Sequence, residues 1–332
     1  MTDRDWWSIY LEHGHMIHGK RLGHHRVSTM FDLNLNSARR LVYHVRVHGP
    51  PKDGEIPEHP EPTLEVLRPA LVRPKVSQTH LVIGDAHAAP GQDLRRFEWL
   101  AQFCLEMRPD VVVSIGDWFG LDSLCFHHSK AEAEGQRLLK DLEAGNRALQ
   151  IFGERIQAHN RAFPHDVYEP RLVVTLGNHD YRIIREAQSH PHLQGILDYD
   201  LMDWEAWGWE TYPFREPVEI DGVTYCHYFT RPGSPRALSG MYHAAALVRE
   251  GMGKTLVCGH SHQLHWYTKA GLNGERCHGL VVGCYFEHHE EYASTANAQW
   301  WRGLCLLRNV KDGDFDLETW GLKRIRDKYG DV

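Results

Sequence analysis

Five short apolar runs in this chain end the same way, in a cluster of Asp, Asn and His. "THLVIGDAH" ends in Asp85 and His87, and "VVVSIGDW" in Asp117. "RLVVTLGNHD" ends in Asn178, His179 and Asp180, "VTYCHYF" carries His227, and "TLVCGHSH" ends in His260 and His262. Continuous Val, Ile and Leu stretches are the mark of strands covered on both faces, as in the sheets of α/β proteins. Ligands of such sheets bind beyond the strand ends, where loops converge without breaking the ladder. Alternate residues of an extended segment share a face. The pattern therefore predicts that Asp85 and His87 aim at one point, and His260 and His262 likewise. Glycines before Asp85, Asp117, Asn178 and His260 predict tight turns out of the strands. One such end is commonplace, since a lone Asp caps turns and a lone buried His is hydrogen-bonded in a core. Five in succession call for a common cause.

The segments between these runs read as helices. "DLRRFEWLAQFCLEM" is amphipathic, and residues 131–160 form a long helical region with glycine interruptions. "GLCLLRNVKDGDFDLETW" reads as a hairpin turning near Asp312 and Gly313. Alternating strands and helices predict an α/β core over 79–332. Residues 49–78 hold seven of the sixteen prolines and read as a linker. Before it, residues 1–48 form a small part of +3 charge, seven Lys and Arg against four Asp and Glu, in a chain of −7. Its pattern resembles two helices around the turn Leu33–Asn36, a helix-turn-helix. That reading presents Ser37, Arg39, Arg40 and Tyr43 to a nucleic-acid groove, with Leu41, Val42 and Val45 facing inward. The competing reading is a helical packing module whose basic residues are solvated.

Composition bounds the rest. An apolar fraction of 42% and a charged fraction of 24% are those of a globular chain, and no apolar run reaches membrane-span length. The N-terminus, "MTDRDWWSIY", lacks a signal-peptide core, so the expectation is a cytoplasmic protein without membrane association. Seven cysteines, with no Cys-x-x-Cys pair, predict free thiols. The net charge of −7 disfavours broad nucleic-acid binding over the whole surface.

The order and identities of the five blocks, "GDAH", "GDW", "GNHD", "CHY" and "GHSH", resemble the calcineurin-like metallophosphoesterase superfamily. Its signature is Asp-x-His, Gly-Asp, Gly-Asn-His-(Asp/Glu), an isolated His, then Gly-His-x-His. The resemblance covers residues 79 to 310. It departs from the pattern at Tyr228, where many members have Gly after the isolated His. The resemblance implies a four-layer α/β/β/α sandwich with two mixed sheets, here preceded by the small helical module. It also implies two divalent metal ions, one held by Asp85, His87 and His262, the other by Asn178, His227 and His260, with Asp117 bridging. Imidazole and carboxylate donors without thiolate suit Mn, the expected metal, or Fe, Zn, Ni or Co. Two such ions lower the pKa of a water between them and brace in-line displacement at phosphorus. His179 would protonate the leaving oxygen, with Asp180 orienting it.

Arg182, shortly after Asp180, and Arg231, in a Gly- and Pro-rich segment, suit phosphate oxygens. Arg236 and His243 of that segment are further candidates, and Tyr285, Phe286, Tyr292, Trp300 and Trp301 are aromatics that could stack on bases, core or loop packing being the commoner fate of such rings. The expected function is a metal-dependent nuclease or phosphodiesterase acting on DNA, RNA or nucleotides. The alternative is a phosphatase acting on phosphoprotein or a small phosphomonoester. A third reading, a DNA-binding or scaffold protein with a vestigial site, is opposed by the intact residue set.

Overall fold

A computed structural model of the chain describes residues 6–20, 27, 30–32, 41, 42, 45, 50, 78–126, 135–231, 233–288, 295 and 297–330. The chain divides into two compact units, Met1–Pro74 and Lys75–Val332. In the first, helix α1 (Trp6–Gly19) buries Ile9, Tyr10 and Ile17 in a small core with Val27, Leu41, Val42 and Val45. The inward direction expected for Leu41, Val42 and Val45 is the one observed. Ser37, Arg39, Arg40 and Tyr43 lie outside the described residues, as does nearly all of the proline-rich segment.

The second unit is built on two mixed sheets. The first comprises β1 (Gln78–Ile83), β2 (Val111–Ser114), β3 (Arg171–Thr175), β4 (Trp209–Tyr212), β10 (Gly303–Lys311) and β11 (Asp314–Gly321). Their order across the sheet is β11-β10-β1-β2-β3-β4. Strands β1 to β4 are parallel, and β10 runs antiparallel to both β1 and β11. The second sheet comprises β5 (Val218–Ile220), β6 (Val223–Tyr225), β7 (Thr255–Cys258), β8 (Leu264–Ala270) and β9 (Arg276–Val282). Its order is β5-β6-β7-β9-β8.

Alternation along each strand sorts side chains between two cores. Leu81, Ile83, Val112, Val174, Leu304 and Leu306 face the helices α2 (Arg95–Met107), α3 (Leu138–Ala162), α4 (Arg182–Ser189) and α6 (Leu322–Tyr329). Val82, Val111, Val113, Val173 and Cys305 face Val223, Tyr225, Val257, Leu280 and Val282 of the second sheet. On that sheet's far side, Cys258 and Val281 pack under Leu247 of α5 (His243–Glu250). The layers are therefore helix, sheet, sheet and helix. Each fully buried aliphatic contributes roughly 1.5–3 kcal/mol, so the doubly covered strands carry much of the burial energy of this unit.

The hairpin expected at Asp312 and Gly313 is present, with φ of 51° and 86°. Of the glycines expected to interrupt the long helical region, Gly135 lies in a turn at φ 82° ahead of α3, whereas α3 runs unbroken through Gly145 and Gly153. All seven cysteines are free. Among the described residues no helix is long and apolar enough to cross a membrane.

Candidate metal centre

Parallel pairing of β1, β2 and β3 sends the segments after them out of the same edge of the first sheet. These carry Asp85 and His87, then Asp117, then Asn178 to Asp180. The second sheet delivers His227 after β6 and His260 and His262 after β7. The two sheets are tied together here: His227 Nδ1 meets the Ile115 carbonyl at 2.8 Å, and the His260 amide donates to Asp85 Oδ1 at 3.0 Å.

Of the glycines that precede these turns, Gly116 takes a left-handed φ of 91°, as expected, whereas Gly84, Gly177 and Gly259 do not. His87, Asp117, His260 and His262 themselves hold left-handed φ, at 42°, 49°, 67° and 57°. Non-glycine residues persist there only when their surroundings over-determine them, as at ligand clamps. The glycines also serve close approach. A Cβ on Gly177 would lie 2.0 Å from Asp117 Oδ1, and one on Gly116 would lie 2.4 Å from Gly177 N.

Asp85 and Asp117 each use one oxygen to pin backbone and offer the other to imidazoles. Asp117 Oδ1 accepts the His179 amide at 2.7 Å. Its Oδ2 lies 3.3 Å from His227 Nε2, 3.9 Å from His87 Nε2 and 4.0 Å from His179 Nε2. Asp85 Oδ2 lies 2.8 Å from His262 Nε2. Potential ligand atoms within 4.8 Å of one another gather as Asp85/His87/His262, as His87/Asp117/His179 and as Asp117/His227/His260. Asn178 Oδ1 joins the last group, 2.9 Å from His227 Nε2.

The pairings differ from strict alternation. His260 and His262 go to different groups, because left-handed φ at both takes the chain out of the extended form in which every second side chain shares a face.

The donor set fits a cation. A carbonyl only accepts, so the bond to Ile115 puts the proton of neutral His227 on Nδ1. Its Nε2 is then a lone pair facing Asn178 Oδ1, Asp117 Oδ2 and, at 3.3 Å, His260 Nδ1. Acceptors meeting in a buried space need a proton or a metal among them. The protein alone expresses this as a proton. Burial opposes charge on His227, but the Asp117 and Asp85 carboxylates push it up to about 9. Burial would likewise raise Asp85, yet the facing imidazoles of His262 and His227 draw it down to about 2. Burial and the charge of His227 hold His260 down at about 4.

Two expected roles change. Asp180 does not orient His179. Its Oδ2 accepts the amides of Asp117 and Gly177, both at 2.8 Å, and its Oδ1 accepts that of Phe119 at 3.3 Å. The turn after β3 folds this side chain back beneath the loop, and among the described residues no hydrogen bond joins it to His179. Burial, and then the charge of Asp117, raise Asp180 to about 6. His179 is instead held by Nδ1 on the Gly120 carbonyl, at 2.9 Å. Its Nε2 accepts from Arg182 Nη2 at 3.0 Å.

Arg182 is correspondingly filled: Nη1 donates to the Gly120 carbonyl at 2.8 Å and pairs with Asp122 at 3.3 Å. It braces His179 and the loop after β2, and offers no open fork to a phosphate. Arg231 is exposed, and its carbonyl accepts the Ser234 amide. His243 does not reach the mouth; it is buried under α5 with Nε2 3.8 Å from Cys258 Sγ.

Aromatic rings wall the centre on both sides. Phe286 stacks on His87 at 4.9 Å, and the edge of Trp300 meets His262 at 4.5 Å. Opposite them Tyr228 lies 5.0 Å from His260, and Phe214 lies 6.4 Å from His227. Phe286 and Trp300 were candidates from the sequence. Phe214, Arg215 and Tyr228 were not, since the loop that carries Phe214 and Arg215 has no pattern of its own.

No protein-family model and no curated protein matches the chain. Among solved structures, an archaeal phosphodiesterase aligns over 73% of this chain and 99% of its own, at 8% identity and a TM-score of 0.35. The phosphoesterase YfcE of E. coli aligns over 74% of this chain and 99% of its own, at 12% identity and a TM-score of 0.32. TT1561 of Thermus thermophilus aligns over 74% and 99%, at 11% identity and a TM-score of 0.30. Likenesses this distant carry no argument about activity, which rests on the residues of the centre.

Proposed function

We propose that this chain is a dinuclear metal-dependent phosphoesterase of the calcineurin-like kind, hydrolysing a phosphoester bond with water. The observation that carries the proposal is the position of Asp117, a buried carboxylate that gathers with His227 and His260 on one side and, through His87 at 3.9 Å, adjoins the Asp85/His87/His262 group on the other. Asp85, His87 and His262 would hold one ion, and Asn178, His227 and His260 the other, with Asp117 common to both. Mn is the first choice among Mn, Fe, Zn, Ni and Co. When bound, two such ions supply a water of lowered pKa and a brace for the oxygens of an in-line displacement.

The chain's own residues supply the rest. The Ile115 carbonyl holds His227 with its Nε2 lone pair toward the centre, and the His260 amide keeps Asp85 Oδ2 pointing inward. Asp180 locks the loops of Asp117 and Gly177 together. His179 presents Nε2 to the centre and serves the leaving oxygen. A proton on that nitrogen displaces the bond from Arg182, so His179 acts as an acid only when Arg182 turns aside. The substrate class is a phosphodiester of a nucleotide or nucleic acid, a reading supported by the aromatic walls and the basic N-terminal part. The net charge of −7 favours a small-molecule phosphatase as the second reading.

The test is a screen of metals against substrates with elemental analysis. Mn-reconstituted protein is expected to hold two ions per chain and to cleave bis-p-nitrophenyl phosphate or oligonucleotides. Less than one ion per chain, or no turnover of any phosphoester with any of the five metals, would sink the proposal. Turnover confined to small monoesters would move it to the phosphatase.

A further inference from the structure

The loop between β4 and β5 carries a side chain that the proposed reaction does not use. Arg215 holds a left-handed φ of 72°, a conformation that a residue with a Cβ keeps only under constraint. Its Nε and Nη2 both donate to Tyr228 Oη, at 3.0 and 2.8 Å. The guanidinium lies over the Phe214 ring at 5.0 Å and near the Tyr228 ring at 5.6 Å. Tyr228 in turn lies 5.0 Å from His260 and 5.7 Å from His227, and Tyr181 stacks on Phe214 at 5.1 Å.

A phenol oxygen accepts hydrogen bonds but brings no charge to offset a cation. Among the described residues no carboxylate pairs with Arg215. This contrasts with Arg182, whose guanidinium is filled by carbonyls and Asp122. The strained backbone and the two rings therefore hold an exposed positive charge, offset by no carboxylate, on Tyr228, which itself adjoins His227 and His260. Arg215 reaches Tyr228 through its hydroxyl, and Tyr228 reaches His260 through its ring. The guanidinium stands one residue out from the imidazoles, where it would meet a neighbouring group of the substrate and not the reacting phosphorus.

We infer that Arg215, on the ledge of Tyr228 and Phe214, is a subsite for a second phosphate of the substrate. This rests on the phosphoesterase reading. A guanidinium fork matches phosphate oxygens, and the flanking rings offer faces to the sugar or base attached to it.

The inference is tested with two substrates that share a leaving group, thymidine 5′-(p-nitrophenyl phosphate) and its 3′-phosphorylated form. The wild type should prefer the second. Arg215→Ala should reduce that preference about tenfold or more, mainly through KM, as expected for losing a charge-assisted bond. Arg215→Lys should restore part of it. Tyr228→Phe, which keeps the ring on His260 but frees the guanidinium, should also lower it. Calorimetric binding of thymidine 3′,5′-bisphosphate against thymidine 5′-monophosphate to the metal-loaded protein gives a readout that needs no turnover. If the wild type cleaves neither substrate but binds the bisphosphate more tightly in an Arg215-dependent way, the phosphoesterase reading fails and the subsite stands. If both are cleaved and Arg215→Ala affects them equally, or the bisphosphate binds no better than the monophosphate, the subsite is wrong.

Discussion

Replacing Asp180 by alanine takes three backbone amides off their acceptor in a place water does not reach. Asp117 and Gly177 lose bonds of 2.8 Å and Phe119 one of 3.3 Å, around a side chain with no exposed surface. A buried donor left unsatisfied costs about 1–3 kcal/mol. Two good bonds and one long one therefore come to about 3–6 kcal/mol. In a domain of this size that lowers the melting temperature by roughly 6–24 °C, at about 2–4 °C per kcal/mol. Asp180→Asn should fall between alanine and wild type. Its single carbonyl oxygen can keep Asp117 and Gly177, but its amide group then faces the Phe119 N–H, donor against donor. Because the same bonds hold Asp117 in place, metal content should fall in the order of stability, measured by elemental analysis beside thermal melts of metal-free protein. The pH–rate profile of the surviving activity should keep its shape. A melting temperature for Asp180→Ala within about 2 °C of wild type would refute the bracing role. A displaced pH–rate profile in Asp180→Asn with unchanged stability would instead return Asp180 to the task of orienting His179.

Gly177→Ala should lose both metal and stability, because the added Cβ falls 2.0 Å from Asp117 Oδ1, and overpacking of this kind costs about 1–3 kcal/mol; a variant that keeps two ions per chain refutes this. His179→Ala should keep its metals and lose about 10²–10⁴ in rate on a substrate with a poor leaving group, while losing far less on p-nitrophenyl esters; wild-type rates on the poor leaving group would end the acid role. His80 is buried with Nε2 on Asp221 at 2.9 Å and Nδ1 against Tyr225 Oη at 2.7 Å, and burial lowers its pKa from 6.5. A lowered histidine favours the folded state above the unfolded pKa, and that advantage is lost as the pH falls below it. His80→Gln should accordingly melt below wild type at pH 8, with the gap narrowing toward pH 5. A gap that widens on acidification contradicts the sign.

The chemistry of the centre was legible because it is written at strand ends. Asp85, Asp117, Asn178 and His260 each follow an aliphatic run that a buried parallel strand requires, and such runs announce themselves by composition; His227 follows the shorter run Val223–Cys226. Strands β4, β5, β8 and β9 were not read. Trp209–Tyr212 is four residues long, and Leu264–Ala270 is an exposed edge strand whose sequence shows no buried alternation. Two of the helix breaks expected in residues 131–160, at Gly145 and Gly153, failed for a packing reason. Gly145 and Gly153 lie against the rings of Phe119 and Trp207, and their missing side chains make room for those rings.

By itself the sequence determined which atoms are available: two carboxylates, the amide of Asn178 and a set of imidazoles, in an order that alternating strands and helices carry to one edge. Only the tertiary structure decided how they are shared. His260 and His262 part company because their backbones are left-handed, a state that no periodic pattern encodes. Asp180 and Arg182 became braces because their partners, the amides of Asp117 and Phe119 and the carbonyl of Gly120, lie about sixty residues away in the chain. Arg215 came to the centre through Tyr228, across two strands and a turn. Side-chain type is a local property of the chain, whereas the partner that gives a buried polar group its role is chosen by long-range packing, and the cost of leaving such a group unpaired is what holds the choice in place.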